Sequence, residues 1–368
     1  MKTKGRIREL LRRGVREGVY PGAVLLVARE GKIIFSHKVG NRSLIPESLP
    51  MEKHTIFDLA SLTKPLGTTL ALMKLVDEER IHLDEPLADL LSTALPQNKR
   101  ALTPRLILSH SAGFVDWQPF YLKLVKYAQE ERKRLVRHWI VEAPLAYSPG
   151  RGCVYSDLGF MVLEQAIEER AGAVMAQFLE SNFYGPLSLE NTFLSSESSA
   201  MRFKKERFAA TEACQWRNEV LQGRVHDENA FALGGYSGHA GLFGTAEEVY
   251  RIVNLLRQHY MRKRDDFLRP ETVREFFSRQ YHVDTCTRAL GWDTPSAKNS
   301  SSGRYFLPES VGHLGFTGTS VWMELKRDVV VVFLTNRVHP TRTNEKIRTF
   351  RPILHDAVME ELKMGSRL

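Results

Sequence analysis

The sequence predicts an α/β protein of the α+β type: an antiparallel sheet flanked by helices, with a helical lobe inserted between its strands. Three observations carry this. Apolar, hairpin-like runs lie near both ends of the chain, at Ala23–His37 and Val321–Leu334. Between them, from about Leu83 to Arg207, short helical patterns alternate with Pro and Gly punctuation and few β-branched alternating runs occur. The chain has 368 residues, 43% hydrophobic and 26% charged, enough to bury a large core without staples. The division that follows is 1–58 for the first part of the sheet lobe, 59–212 for the helical lobe and 213–368 for the rest of the sheet lobe.

Taken in order, Ile7, Leu10, Leu11 and Val15 share one helical stripe, and Gly18 suits its C-terminal stop. Ala23–Arg29 and Lys32–His37, split by Glu30-Gly31, read as two strands of a hairpin. Leu66, Leu70, Met73 and Val76 recur at helical spacing over Leu66–Glu79, so Ser61 and Lys64 fall at that helix's first turn. Pro65 is tolerated there because first-turn N–H groups lack partners anyway. Leu102–His110, Phe120–Val141 and Leu158–Arg170 are further helices, the second one long and polar. Val321–Leu325 and Val329–Leu334 form a second hairpin, and Asn344–Leu362 is helical with a break at Pro352. Strands at both chain ends imply a sheet whose first and last strands meet.

Charge and composition exclude several classes. The net charge is +9, but the basic clusters Arg132-Lys133-Arg134, Lys204-Lys205 and Arg262-Lys263-Arg264 are short, scattered and interleaved with acids. They read as solvated faces, and no nucleic-acid partner is expected. The longest compact apolar run, Val329–Leu334, is far too short to span a bilayer, and the basic N-terminus lacks an apolar leader core. A cytoplasmic enzyme of undetermined oligomeric state is the expectation. Cys153, Cys214 and Cys286 are odd in number and widely spaced, which argues against a disulfide framework or a Cys-based metal site and for three small buried apolar residues. The twelve histidines show no metal-ligand spacing. No metal and no cofactor is expected.

Chemistry concentrates in three places. Ser61-Leu62-Thr63-Lys64 sets a hydroxyl and an amine three residues apart at a helix start, on one face, so the amine can assist the hydroxyl as a nucleophile. Tyr155-Ser156-Asp157 follows the Pro/Gly loop Ser148–Gly152 and opens a helix; its bland reading is a half-buried aromatic beside a helix-capping Asp157. His313-Leu314-Gly315-Phe316 precedes the strand at Val321. Gly315 there allows close approach to backbone, and the Phe316 N–H can point at an oxyanion.

The ordered triple Ser61/Lys64, Tyr155-Ser156-Asp157 and His313-Leu314-Gly315 resembles the serine β-lactamase and penicillin-binding protein superfamily. It is most similar to the class C β-lactamase, DD-peptidase and esterase branch, over residues 15–340. Leu106–Gly113, Tyr155–Leu163 and Leu233–Gly244 also look like that family. The resemblance implies the β-lactamase-like fold and a serine hydrolase acting on a small-molecule ester, amide or peptide. Ser61 would be the nucleophile, with Lys64 and Tyr155 sharing the proton shuttle. The N–H groups of Ser61 and Phe316 would hold the oxyanion, each worth about 3–4 kcal/mol. Two departures matter. His313 replaces a lysine that meets a substrate carboxylate, and Asp157 replaces an asparagine that donates to a carbonyl. If Asp157 lies near Lys64 it favours the charged amine and leaves Tyr155 as the immediate base. Both changes argue for an esterase or peptidase-like hydrolase and against an efficient penicillinase. The rival expectation is a penicillin-binding or cell-wall-sensing protein that is acylated without turnover.

Three other features carry less. Gly234–Gly244 lacks a phosphate-loop pattern and reads as tight packing along the sheet. Asp227 lies in a turn that can line the cleft, and His110 reads as a satisfied structural histidine.

Overall fold

The computed structural model describes residues 3–280, 283 and 286–364. Its strands are β1 (Gly22–Arg29), β2 (Lys32–Ser43), β3 (Leu49–Pro50), β4 (Phe57–Asp58), β5 (Phe193–Leu194), β6 (Ala213–Cys214), β7 (Glu219–Val220), β8 (Leu242–Gly244), β9 (Val311–Leu314), β10 (Ser320–Glu324) and β11 (Val329–Thr335). The main sheet has the order β3-β2-β1-β11-β10-β9 and is antiparallel throughout. The first and last strands do meet, with Ala23 opposite Thr335 and Arg29 opposite Val329.

The apolar runs are continuous because both faces of this sheet are covered. Val24, Leu26, Val330, Val332 and Leu334 face one core, which they share with Val249, Ile252 and Leu256 of the helix Ala246–Tyr260. Leu25, Val27, Val331 and Phe333 face the other, against Ile7 and Leu11 of helix Thr3–Arg16 and Phe350, Leu354 and Val358 of helix Ile347–Glu361.

Two helices differ from expectation. Phe120–Val141 is not one helix but Tyr121–Leu124 and Gln129–Glu142, because Ala128 is extended and restarts the chain. Conversely, Pro352 does not break the last helix, which runs from Ile347 to Glu361 through it. One missing N–H is outweighed by the apolar stripe this helix lays on the sheet. The glycine-rich segment packs against more than sheet. Its end forms β8, between β4 and β5, while Ser237 Oγ–H and Gly238 N–H donate to Glu164 Oε2 at 2.6 and 2.9 Å.

The cysteine expectation is overturned. Cys153 and Cys286 form a disulfide across 133 residues of sequence, and Cys214 alone is free and buried. Sequence spacing could not show this, because the fold is what brings the Tyr155 approach segment against the chain before Arg288. No helix among the described residues is long and apolar enough to cross a membrane.

His355, fully buried in the last helix, donates Nδ1–H to the Ser301 carbonyl at 3.0 Å while its Nε2 has no partner among the described residues. Burial, then the Arg351 cation, push its pKa from 6.5 to about 3. Below pH 6.5 the unfolded chain takes up a proton that the folded chain refuses until about pH 3, so the fold loses stability as pH falls. The loss from this group is about 1.4 kcal/mol per pH unit within that window. In denaturant titrations from pH 6 to 4, His355→Gln should flatten the pH slope of stability by about one proton. Equal slopes for wild type and variant would refute this account.

Candidate active site

Ser61 stands on a sharp turn between β4 and a helix. Ala60 adopts a left-handed φ of +48°, followed by a 3-10 turn at Ala60–Leu62, a π turn at Lys64–Thr68 and the α-helix Thr69–Asp77. The helix entrance is therefore wider than a regular first turn. The buried Asp58 carboxylate ties this turn down, accepting the Ala60 N–H at 2.8 Å and the His226 N–H at 2.6 Å. Burial nevertheless raises the Asp58 pKa. Thr63 Oγ1–H donates to the Ala60 carbonyl at 2.6 Å.

Lys64 has no exposed side-chain surface, and its ammonium has three donors. They meet three acceptors: Ser61 Oγ at 3.2 Å, Asp157 Oδ1 at 2.6 Å and the His239 carbonyl at 3.2 Å. Burial alone would lower the Lys64 pKa, but the Asp157 carboxylate, with the Tyr155 hydroxyl beside it, outweighs burial and holds the ammonium above its ordinary range. Asp157 is not the helix cap. Ser156 Oγ accepts the Gly159 N–H in that role, which frees the Asp157 carboxylate for Lys64.

Tyr155 lies between cations, with Lys64 Nζ 4.7 Å and the Arg288 guanidinium 5.1 Å from its ring centroid. Its buried hydroxyl makes no hydrogen bond of its own among the described residues, though it is close enough to help hold the Lys64 charge. His110 braces this loop. Its Nδ1 accepts the Ser156 N–H at 3.0 Å, its ring lies 4.6 Å from the Tyr155 ring, and its carbonyl accepts from Tyr147 Oη and the Val154 N–H. Burial, then Arg288, hold the His110 pKa well below its ordinary value.

His313 is buried, with its ring 5.9 Å from that of Tyr155. Nδ1–H donates to the Leu314 carbonyl at 2.8 Å, leaving Nε2 without a partner among the described residues. Burial, Arg288 and Lys64 together keep it neutral. Space at Gly315 is taken by the protein itself: a Cβ there would lie 2.0 Å from Thr319 Oγ1 and 2.5 Å from the Leu59 carbonyl. The glycine thus seats the third motif against the Ser61 turn. The Phe316 N–H bonds to no described residue, while its ring stacks on His226 at 5.5 Å and carries the Arg337 guanidinium at 4.5 Å.

All the candidate residues thus come together in space: Ser61, Lys64, Tyr155 and Asp157 around one ammonium, and His313, Gly315 and Phe316 along the facing strand end. Sequence reasoning missed Arg288, which carried no motif, and gave little weight to Asp227. Asp227 Oδ1 pairs with His239 Nε2 at 2.9 Å and caps the helix Glu228–Ala232. Both groups are displaced against the burial that opposes their charge: each holds the other ionised, raising His239 and lowering Asp227. Asp157, Asp227 and His239 offer ligand atoms within 4.8 Å of one another, the spacing a cation could use. Lys64 supplies the positive charge at Asp157, and the histidine–carboxylate bond engages the other two.

Comparisons with known proteins bear on the family and the fold. The chain is 30% identical over 366 residues to the N-acetylmuramyl-L-alanine amidase of Bacillus subtilis (strain 168), covering 92% of this chain and 82% of that one. Among solved structures, it superposes on the octameric penicillin-binding protein homologue of Pyrococcus abyssi with a TM-score of 0.74 at 18% identity, covering 98% of this chain and 78% of that one. EstCE1, a hydrolase with promiscuous acyltransferase activity, gives 0.70 at 23% identity, covering 95% and 98%. At these identities the two structures speak for the fold alone. The Beta-lactamase family profile matches residues 7–353, and this chain belongs to that family.

Proposed function

We propose that the protein is a serine hydrolase that forms an acyl-enzyme on Ser61 and releases it to water, acting on an amide or ester. The observation that carries this reading is the contact of Lys64 Nζ with Ser61 Oγ at 3.2 Å, inside a buried network beside an unpaired tyrosine hydroxyl. With every proton of its ammonium engaged, Lys64 serves as a fixed charge rather than as the base. Tyr155 shuttles the proton: its oxygen takes the Ser61 proton as its own proton passes to the leaving nitrogen or oxygen. The Ser61 and Phe316 N–H groups receive the oxyanion. In deacylation a water loses its proton to Tyr155, and Ser61 regains one from it.

His313 stays neutral and cannot anchor an anion by charge. Arg288, whose partner is Asp293 at 3.5 Å, is the cation that can meet a substrate carboxylate in its place. An amide bearing a carboxylate, as peptides do, is the substrate class these residues suit. The name of the Bacillus subtilis relative supports an amide as the natural bond.

Ser61→Ala should lower p-nitrophenyl ester and D-amino-acid amide hydrolysis by more than about a thousandfold. Unchanged ester hydrolysis would mean that Ser61 is not the nucleophile. Rapid nitrocefin turnover with no ester or amide hydrolysis would replace this reading with a β-lactamase. A stable penicillin adduct on Ser61 by intact mass, with no turnover of any substrate, would replace it with an acylated sensor.

Arg288→Gln should raise KM about tenfold for a carboxylated amide while leaving KM for a neutral ester unchanged. Equal effects on both would remove Arg288 from substrate recognition. Asp157→Ala strands a buried ammonium and should cost about 3–5 kcal/mol in denaturant unfolding. The double change Lys64→Met, Asp157→Leu should recover most of it, and no recovery would show that the pair is not coupled.

A further inference from the structure

A cavity of about 690 Å³ lies away from the catalytic residues, none of which lines it. It falls within the range of small-molecule sites. Its apolar lining is Phe203, Phe208, Val225 and Phe231, part of a separate buried cluster. The Phe231 ring meets Trp216 edge-on at 5.9 Å, and Trp216 meets Tyr121 at 4.7 Å, which walls off this side. Asp227 opens the short helix that bears Phe231.

The charges on the lining have one sign. Arg132, Lys205 and Arg224 line the cavity and no carboxylate does, among the described residues. Arg224 is paired with Glu219 at 3.0 Å. Arg132 has no carboxylate partner among the described residues: its guanidinium donates to the Tyr127 carbonyl, Gln129 Oε1 and the Ala232 carbonyl, all uncharged. Among the described residues no ion pair holds Lys205, which is exposed. A guanidinium fixed by three neutral acceptors on the wall of a cavity that aromatic rings also line is a ready-made counter-charge. Met201, 73% exposed, adds a further apolar surface at the same cavity.

We propose that this cavity is a binding site for an amphipathic anion, an apolar chain or ring system ending in a carboxylate or similar oxyanion. The apolar body lies on Phe203, Phe208 and Phe231, and the oxyanion meets Arg132 and Lys205. The site is separate from Ser61 chemistry and stands whether or not the hydrolase reading holds.

Displacement of anilinonaphthalene sulfonate by decanoate, read by fluorescence on the intact protein, tests it. Decanoate should compete at one site, at least about tenfold more tightly than decanol, and the difference should shrink with added salt. Arg132→Gln with Lys205→Gln should weaken decanoate by about tenfold or more. Lys205→Glu, at a solvated position that cannot threaten folding, should weaken it on its own and leave ester hydrolysis unchanged. Prior reaction of Ser61 with a fluorophosphonate should leave decanoate binding intact. Equal affinity for decanol and decanoate, indifference to Lys205→Glu, or loss of binding after phosphonylation of Ser61 would each overturn the assignment.

Discussion

A lysine ammonium with no access to water must find three acceptors inside the protein, and much of this structure is arranged to supply them to Lys64. One comes from its own helix entrance, one from the start of the helix Asp157–Ala171 and one from the backbone of the glycine-rich segment. These lie far apart in sequence, so the ammonium is a point at which three separate elements must agree. Leaving any acceptor out would expose a buried charge to an apolar neighbourhood that includes Phe160, 5.6 Å from Nζ.

The supports around that point are backbone devices more than side-chain ones. The left-handed Ala60 lifts Ser61 out of the β4 line, and the Asp58 carboxylate holds the turn from beneath. The Tyr155 loop is fixed twice, by His110 through Ser156 and by the disulfide from Cys153 to Cys286. Arg288, two residues beyond that disulfide, is thereby brought over the Tyr155 ring. A residue without any motif thus stands beside Tyr155, on a segment tied covalently to the Tyr155 loop.

How much was legible follows from the range of the signals. Strands β1, β10 and β11 were readable because burial on both faces writes itself as apolar runs, and half-exposed β2 as the hairpin partner beyond Glu30-Gly31. The meeting of β1 with β11 followed from a rule about chain ends. Ser61, Lys64, Tyr155 and His313 could be picked out as candidates because each sits in a short local pattern, and the fold places them near one another. What escaped was set by contacts between distant segments: the Cys153–Cys286 link, Arg288, and the Asp227–His239 pair. Local ambiguity explains other differences. A polar stretch such as Phe120–Val141 has helical propensity throughout, and only the turn at Ala128 divides it. Pro352 looked like a stop because its neighbours' packing on the sheet is invisible in one dimension.

The pairing of β1 with β11 has a consequence for how the chain is made. The centre of the main sheet is the seam between the earliest and the latest strands, where Ala23 faces Thr335. During synthesis on the ribosome, the hairpin of β1 and β2 emerges first, with Val24, Leu25, Leu26 and Val27 along an open edge. That edge has no partner until β11, which begins at Val329, has been made. Until then nascent chains expose an apolar strand edge, a surface suited to holding by chaperones and to pairing with other nascent chains. The β9–β10 segment, which completes the surroundings of Ser61, follows Val311, so those surroundings assemble only after it is made.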